Sequence, residues 1–250
     1  MNLLSSKNSW VIAPIIFFIG IVSFVFCWLT IDPRTLIISF DNDGHSLVEI
    51  LTLPVFAMII PLAWLCCPVS GSMKKKIFFS SIFSLLGFMA LVRQLDWHKQ
   101  WFSMIWPEIT FKGTVFKMRF LTSPDIPFMP KLFVIAFFIL FGFAVLTPLV
   151  FYFKKLFKGF FKMHPVAWSV AFFGISGVMS QACDGLTKTC RKANLFTPEL
   201  LDASSGAVTA LFTAIEEGGE LLMAIFAVLA IIQSHVIFAP DTPAEKHKEI

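Results

Sequence analysis

Long apolar runs, broken by short polar stretches, organise this chain. A bilayer core needs about 20 consecutive apolar residues per helix. By that measure the pattern predicts an all-α, polytopic membrane protein with about six transmembrane helices. The spans fall at residues 10–30, 47–67, 77–95, 132–153, 165–182 and 206–238. The first is too long for the core of a signal peptide and lacks a small-residue cleavage site after it, so it reads as retained. The last is longer than a bilayer requires and calls for tilt or projection. Residues 96–131 mix aromatic, basic and proline side chains and read as an interfacial cap between the third and fourth spans. Residues 239–250 read as a polar tail. One transmembrane domain thus accounts for the whole of 1–250.

Composition points the same way. The chain is 57% hydrophobic and only 14% charged, against about 25% charged in a soluble domain. Its 31 phenylalanines imply a surface that faces lipid. The net charge of +4 comes from lysines clustered in short loops. Lys74, Lys75 and Lys76 fall between the second and third spans, and Lys154, Lys155, Lys158 and Lys162 between the fourth and fifth. The positive-inside rule places both loops, and with them both termini, on the cytoplasmic side. Tryptophan prefers the two interfaces. Trp10, Trp64 and Trp168 fall on the inner side, and Trp28, Trp97, Trp101 and Trp106 on the outer. Without a glycine-rich phosphate loop, zinc-finger spacing or RNA-binding aromatic motif, the basic balance does not indicate nucleic acid. The expected partner is the lipid bilayer.

Ionisable residues in membrane spans are costly and mark candidate sites. "DNDGHSLVE", before the second span, offers Asp41, Asp43, His45 and Glu49. With Asp43 as N-cap, His45 and Glu49 share a helix face. "RQLDWHK", closing the third, offers Arg93, Asp96 and His98, and Asp184 closes the fifth. "AIEEGGELL" in the sixth offers Glu216, Glu217 and Glu220. Glu216 and Glu220 share a face, and Glu217 lies roughly 100° round. Gly218 and Gly219 allow a neighbouring helix to come close. Upstream, "TPEL" at Thr197–Leu200 carries a helix-start signal.

These segments bring carboxylate and imidazole groups to one leaflet, which predicts a carboxylate–histidine site at the outer side of the membrane. Glu216, Glu220, Asp96 and His98 are the candidate catalytic residues, with Arg93, Glu217 and Glu49 contacting substrate. His45, Glu49, Asp96, His98 and Glu220 include the residue types that hold a divalent metal such as Zn. Arg93 has a simpler alternative, neutralising Glu216 or Glu220 in a buried ion pair. Cys183 and Cys190, in "CDGLTKTC", read as a disulfide in an oxidising outer compartment.

The expected function is binding of a metal cation or a polar lipid headgroup, as in a metal-dependent lipid hydrolase. The alternatives are a component of a cation or solute transporter, and a non-catalytic subunit of a larger membrane complex. Together "DNDGHSLVE", "RQLDWHK" and "EEGGELL" resemble a set of uncharacterised bacterial inner-membrane proteins. In these an acidic-Asp-Gly stretch precedes one membrane helix, an Arg-Glu-Leu-Asp-like motif closes another, and a Glu-Glu cluster opens the last. Gln94 stands here where that pattern has glutamate. The resemblance implies a multi-pass, six-span fold in the cytoplasmic membrane and no particular activity.

Overall fold

A backbone in lipid must satisfy its hydrogen bonds within itself, which favours helices over open strands. The computed structural model describes residues 8–41, 46–66, 72–95, 97–107, 109 and 118–238, and among these every regular element is helical. A short turn, Ser9–Val11, leads into α1 (Ile12–Thr30). Then follow α2 (Pro33–Phe40), α3 (Leu47–Leu65) and α4 (Met73–Gln94). The short α5 (Trp97–Ile105) and α6 (Met118–Thr122) precede α7 (Phe128–Phe161), α8 (Pro165–Lys192) and α9 (Ala207–Phe238). Among the described residues, five helices, α1 with its lead-in turn, α3, α4, α7 and α8, are long and apolar enough to cross a membrane. The protein is therefore a multi-pass membrane protein in contact with lipid. The segment read as the sixth span forms α9, a 32-residue helix that is not among these five and is enclosed by α8, α3, α1 and α2.

Specific contacts fix the direction of each long helix. Gly20 and Phe24 of α1 meet Leu222 and Gly218 of α9, so the two run antiparallel. Gly177 of α8 meets Met223, and Ser169 Oγ donates to Gln233 Oε1 at 2.7 Å, so α8 is also antiparallel to α9. Ser80 Oγ donates to the Ala63 carbonyl at 2.7 Å, pairing α4 antiparallel to α3. His235 Nδ1 lies 2.9 Å from the Cys66 carbonyl oxygen, so α3 and α9 end together. Trp10, Trp168 and Trp28 separate by end as the sequence predicts. Trp10 and Trp168 pack at 5.0 Å, whereas Trp28 Nε1 donates to the Ala207 carbonyl at the far end of α9.

Several boundaries differ from those read in the sequence. The fourth span continues to Phe161, because Lys154, Lys155 and Lys158 are good helix formers and nothing breaks the run. The helix stops only at Met163, which takes φ 54°. There the His164 N–H donates to the Gly159 carbonyl at 2.8 Å, closing a left-handed helix end. The fifth span continues past residue 182 to Lys192 and ends at Asn194, φ 49°, a residue that tolerates the left-handed region. "CDGLTKTC" is therefore helix rather than loop. The predicted disulfide does not form, and Cys183 and Cys190 are free, buried thiols. Seven residues apart on one helix they are separated by about 10 Å along its axis, beyond the reach of a disulfide. "TPEL" makes a turn, with the Leu201 N–H on the Thr197 carbonyl, and the long helix begins only at Ala207.

The cap of the second span is also reassigned. Ser46, not Asp43, is the N-cap of α3. Its Oγ accepts from the Glu49 N–H at 3.1 Å, and Glu49 Oε2 accepts from the Ser46 N–H at 3.0 Å. This reciprocal pair satisfies two donors that helix geometry leaves unpaired. Ser46→Ala is expected to lower the unfolding free energy by about 1 kcal/mol, read by denaturant unfolding in detergent. An unchanged midpoint would remove the cap from the account.

Part of the segment read as an interfacial cap is described. Phe102 of α5, Phe120 of α6, Ile126 just before α7 and Val134 within it form a small buried cluster, joined by Trp106, Ile109 and Leu121. Aromatic density in this stretch thus builds a core of its own.

Candidate functional site

Three helix ends and the middle of α9 meet at one place. Asp32 starts α2, its side chain accepting from the Thr35 N–H at 3.3 Å, with Pro33 in the first turn. The helix carries Leu36 and Phe40 into the main core and ends on Asp41 as C-cap. α3 begins with Ser46 and Glu49, and α4 ends with Arg93 in its last turn. In α9, Glu217 lies within electrostatic range of Glu220, Asp41, Glu216 and Glu49. Glu216 lies in range of Cys183 in α8. Five carboxylates from α2, α3 and α9 thus share one region, and α4 supplies a cation.

That cation is held directly. Arg93 Nη2 donates to Glu220 Oε1 in an ion pair that ties α4 to α9. The pair is lopsided, with the arginine side chain 65% exposed and the glutamate 6%. A gradient runs through the whole cluster. Glu220 and Glu49 are buried, Glu216 and Glu217 half-buried, and Asp41 and Arg93 exposed. The site is therefore a notch open to its surroundings rather than a sealed cavity.

The two glycines between the glutamates set this geometry. A Cβ on Gly218 would lie 2.4 Å from the Phe24 ring, and one on Gly219 would lie 3.1 Å from the Ser176 carbonyl oxygen. α1 and α8 therefore approach α9 closely on two sides, leaving the glutamates facing the ends of α2, α3 and α4. Ahead of Glu220, α9 extends about 20 Å to its start at Ala207. At that start Asp202 accepts from the N–H and Oγ of both Ser204 and Ser205. Led by the Ser204 hydroxyl, these bonds hold its carboxyl down to about 2, which makes Asp202 a turn anchor.

The sequence-predicted residues divide as follows. Glu216, Glu217, Glu220, Glu49 and Arg93 come together. Glu49 takes part in the α3 cap, a structural duty that its spacing from His45 did not suggest. His45 and Asp96 lie outside the described residues, and of His98 only the backbone is described. Among the described residues, no three His, Cys, Asp or Glu side chains are placed to hold a metal ion. Asp41 joins the cluster through α2, a helix that hydropathy passes over but that "DPRT", an N-cap followed by proline, signals.

No family model, curated protein or solved structure matches the chain.

Proposed function

We propose that the protein binds the polar headgroup of a zwitterionic membrane lipid at this notch, one that joins a phosphate to an ammonium group. It would do so as a chain of about six spans with both termini cytoplasmic and the notch toward the outer leaflet of a cytoplasmic membrane. One observation carries the reading. Arg93 is anchored by buried Glu220 yet has a side chain that is 65% exposed, and Glu220 lies in electrostatic range of Glu217, which is itself in range of Glu216 and Asp41. A guanidinium fork matches phosphate oxygens, and adjacent carboxylates attract an ammonium group. Opposite charges side by side therefore complement such a headgroup.

Binding at the rim suits the packing better than passage through the bundle, because Phe172, Leu222 and Phe226 close the core beyond the cluster. The test uses a soluble probe, glycerophosphoethanolamine, titrated into protein purified in mild detergent. Glu217→Gln is expected to weaken binding at least about tenfold, the effect of losing roughly 1.4 kcal/mol. A parent protein that ignores the probe, or a variant that binds it equally tightly, overturns the reading.

A further inference from the structure

Among the described residues, the opposite end of the bundle carries charge of one sign. Lys74, Lys75 and Lys76 open α4, and Lys154, Lys155, Lys158 and Lys162 close α7, all of them exposed. The fold sets the two groups side by side. Phe79 of α4 packs on Phe151 and Tyr152 of α7 at 5.8 and 5.2 Å, and Lys75 Nζ lies 5.9 Å from the centre of the Tyr152 ring. No acidic residue occurs from 50 to 95 or from 126 to 183, so the turns of both helical hairpins at this end are rich in cations.

The last turns of α7 are two-faced. Lys154, Lys158 and Lys162 follow one another at four-residue spacing and share a stripe. Phe153, Phe157 and Phe161 form the neighbouring stripe, exposed and in ring contact at 6.0 and 5.1 Å. At 34 residues, α7 is about 50 Å long, well beyond a hydrocarbon core of roughly 30 Å. Its lysine-rich turns therefore reach the headgroup layer. There the phenylalanine stripe can enter the acyl boundary while the lysines meet phosphates.

We infer that the α4–α7 seam at this end binds anionic phospholipid headgroups, through the lysines of both helices and the phenylalanine stripe of α7. The site is separate from the Arg93–Glu220 notch, so each can fail alone. Each lysine near an anionic surface contributes about a fivefold gain in affinity. The full chain, purified in mild detergent and stripped of lipid, is titrated with short-chain phosphatidylglycerol or with the uncharged diacylglycerol of the same chain length while thermal unfolding is followed. Phosphatidylglycerol is expected to raise the melting temperature where the uncharged diacylglycerol does not. Lys154→Gln/Lys158→Gln/Lys162→Gln is expected to need on the order of a hundredfold more of it, and Glu217→Gln no more than the parent. Should that triple variant not fold, Lys74→Gln/Lys75→Gln/Lys76→Gln tests the same seam from α4. Equal protection by the two lipids, or undiminished phosphatidylglycerol binding in a lysine variant, overturns the inference.

Discussion

Gly218→Leu is expected to destabilise the bundle by about 3 kcal/mol or more, and Phe24→Ala in the same chain to recover a large part of that loss. A Cβ alone would sit 2.4 Å from the Phe24 ring, and leucine adds three carbons beyond it. Phe24 is itself buried in the main core with Phe40, Leu222 and Phe226, so its ring has little room to turn away. Overpacking a closed interior costs about 1–3 kcal/mol when neighbours can shift, and more when they cannot. The consequence reaches the site, because forcing α1 off α9 also moves Glu217 relative to Asp41 and Glu49. Denaturant unfolding of the single and double variants measures both effects. Additive losses in the double variant would mean that the two residues do not press on each other.

Arg93→Met is expected to cost about 3 kcal/mol, and Glu220→Gln less than about 1 kcal/mol, although the two changes break one ion pair. Burial explains the asymmetry. Removing the arginine leaves a glutamate whose side chain is 6% exposed without its cation, whereas removing the glutamate's charge leaves an arginine whose side chain is 65% exposed. Stripping one partner from a fully buried pair costs about 3–5 kcal/mol, and the exposed side of this pair brings the value toward the lower end. The double variant Arg93→Met/Glu220→Gln should therefore be more stable than Arg93→Met alone. Unfolding midpoints of the three variants decide the matter, and equal losses in the two single variants would contradict the lopsided pair.

The legible part of the site was what the cost of burying charge makes conspicuous. Three glutamates inside an apolar run stand out in any hydropathy reading, and Arg93 at a span end is the natural counter-charge. That Arg93 pairs with Glu220 rather than Glu216 depends on how α4 and α9 are rotated, which no local pattern encodes. The role of Glu49 was hidden for a related reason. Its spacing from His45 suggested a shared face, but Ser46 supplies the stronger local interaction and draws the carboxylate into the α3 cap. Asp41 was visible only as a candidate ahead of the second span, because α2 is too short and too polar for a span and owes its packing to α9.

By itself the sequence determined that this is a helical, multi-pass membrane protein, where its long apolar helices begin to within several residues, and that lysines and carboxylates segregate. Those properties follow from the cost of placing charge or unpaired backbone in lipid, which acts residue by residue. Only the tertiary structure decided that α9 is enclosed while α7 is exposed. It decided likewise that "CDGLTKTC" continues a helix, which keeps Cys183 and Cys190 apart, and that α2, α3, α4 and α9 meet at one notch. Those outcomes depend on which helix faces fit together, a property of side-chain packing between segments far apart in the chain.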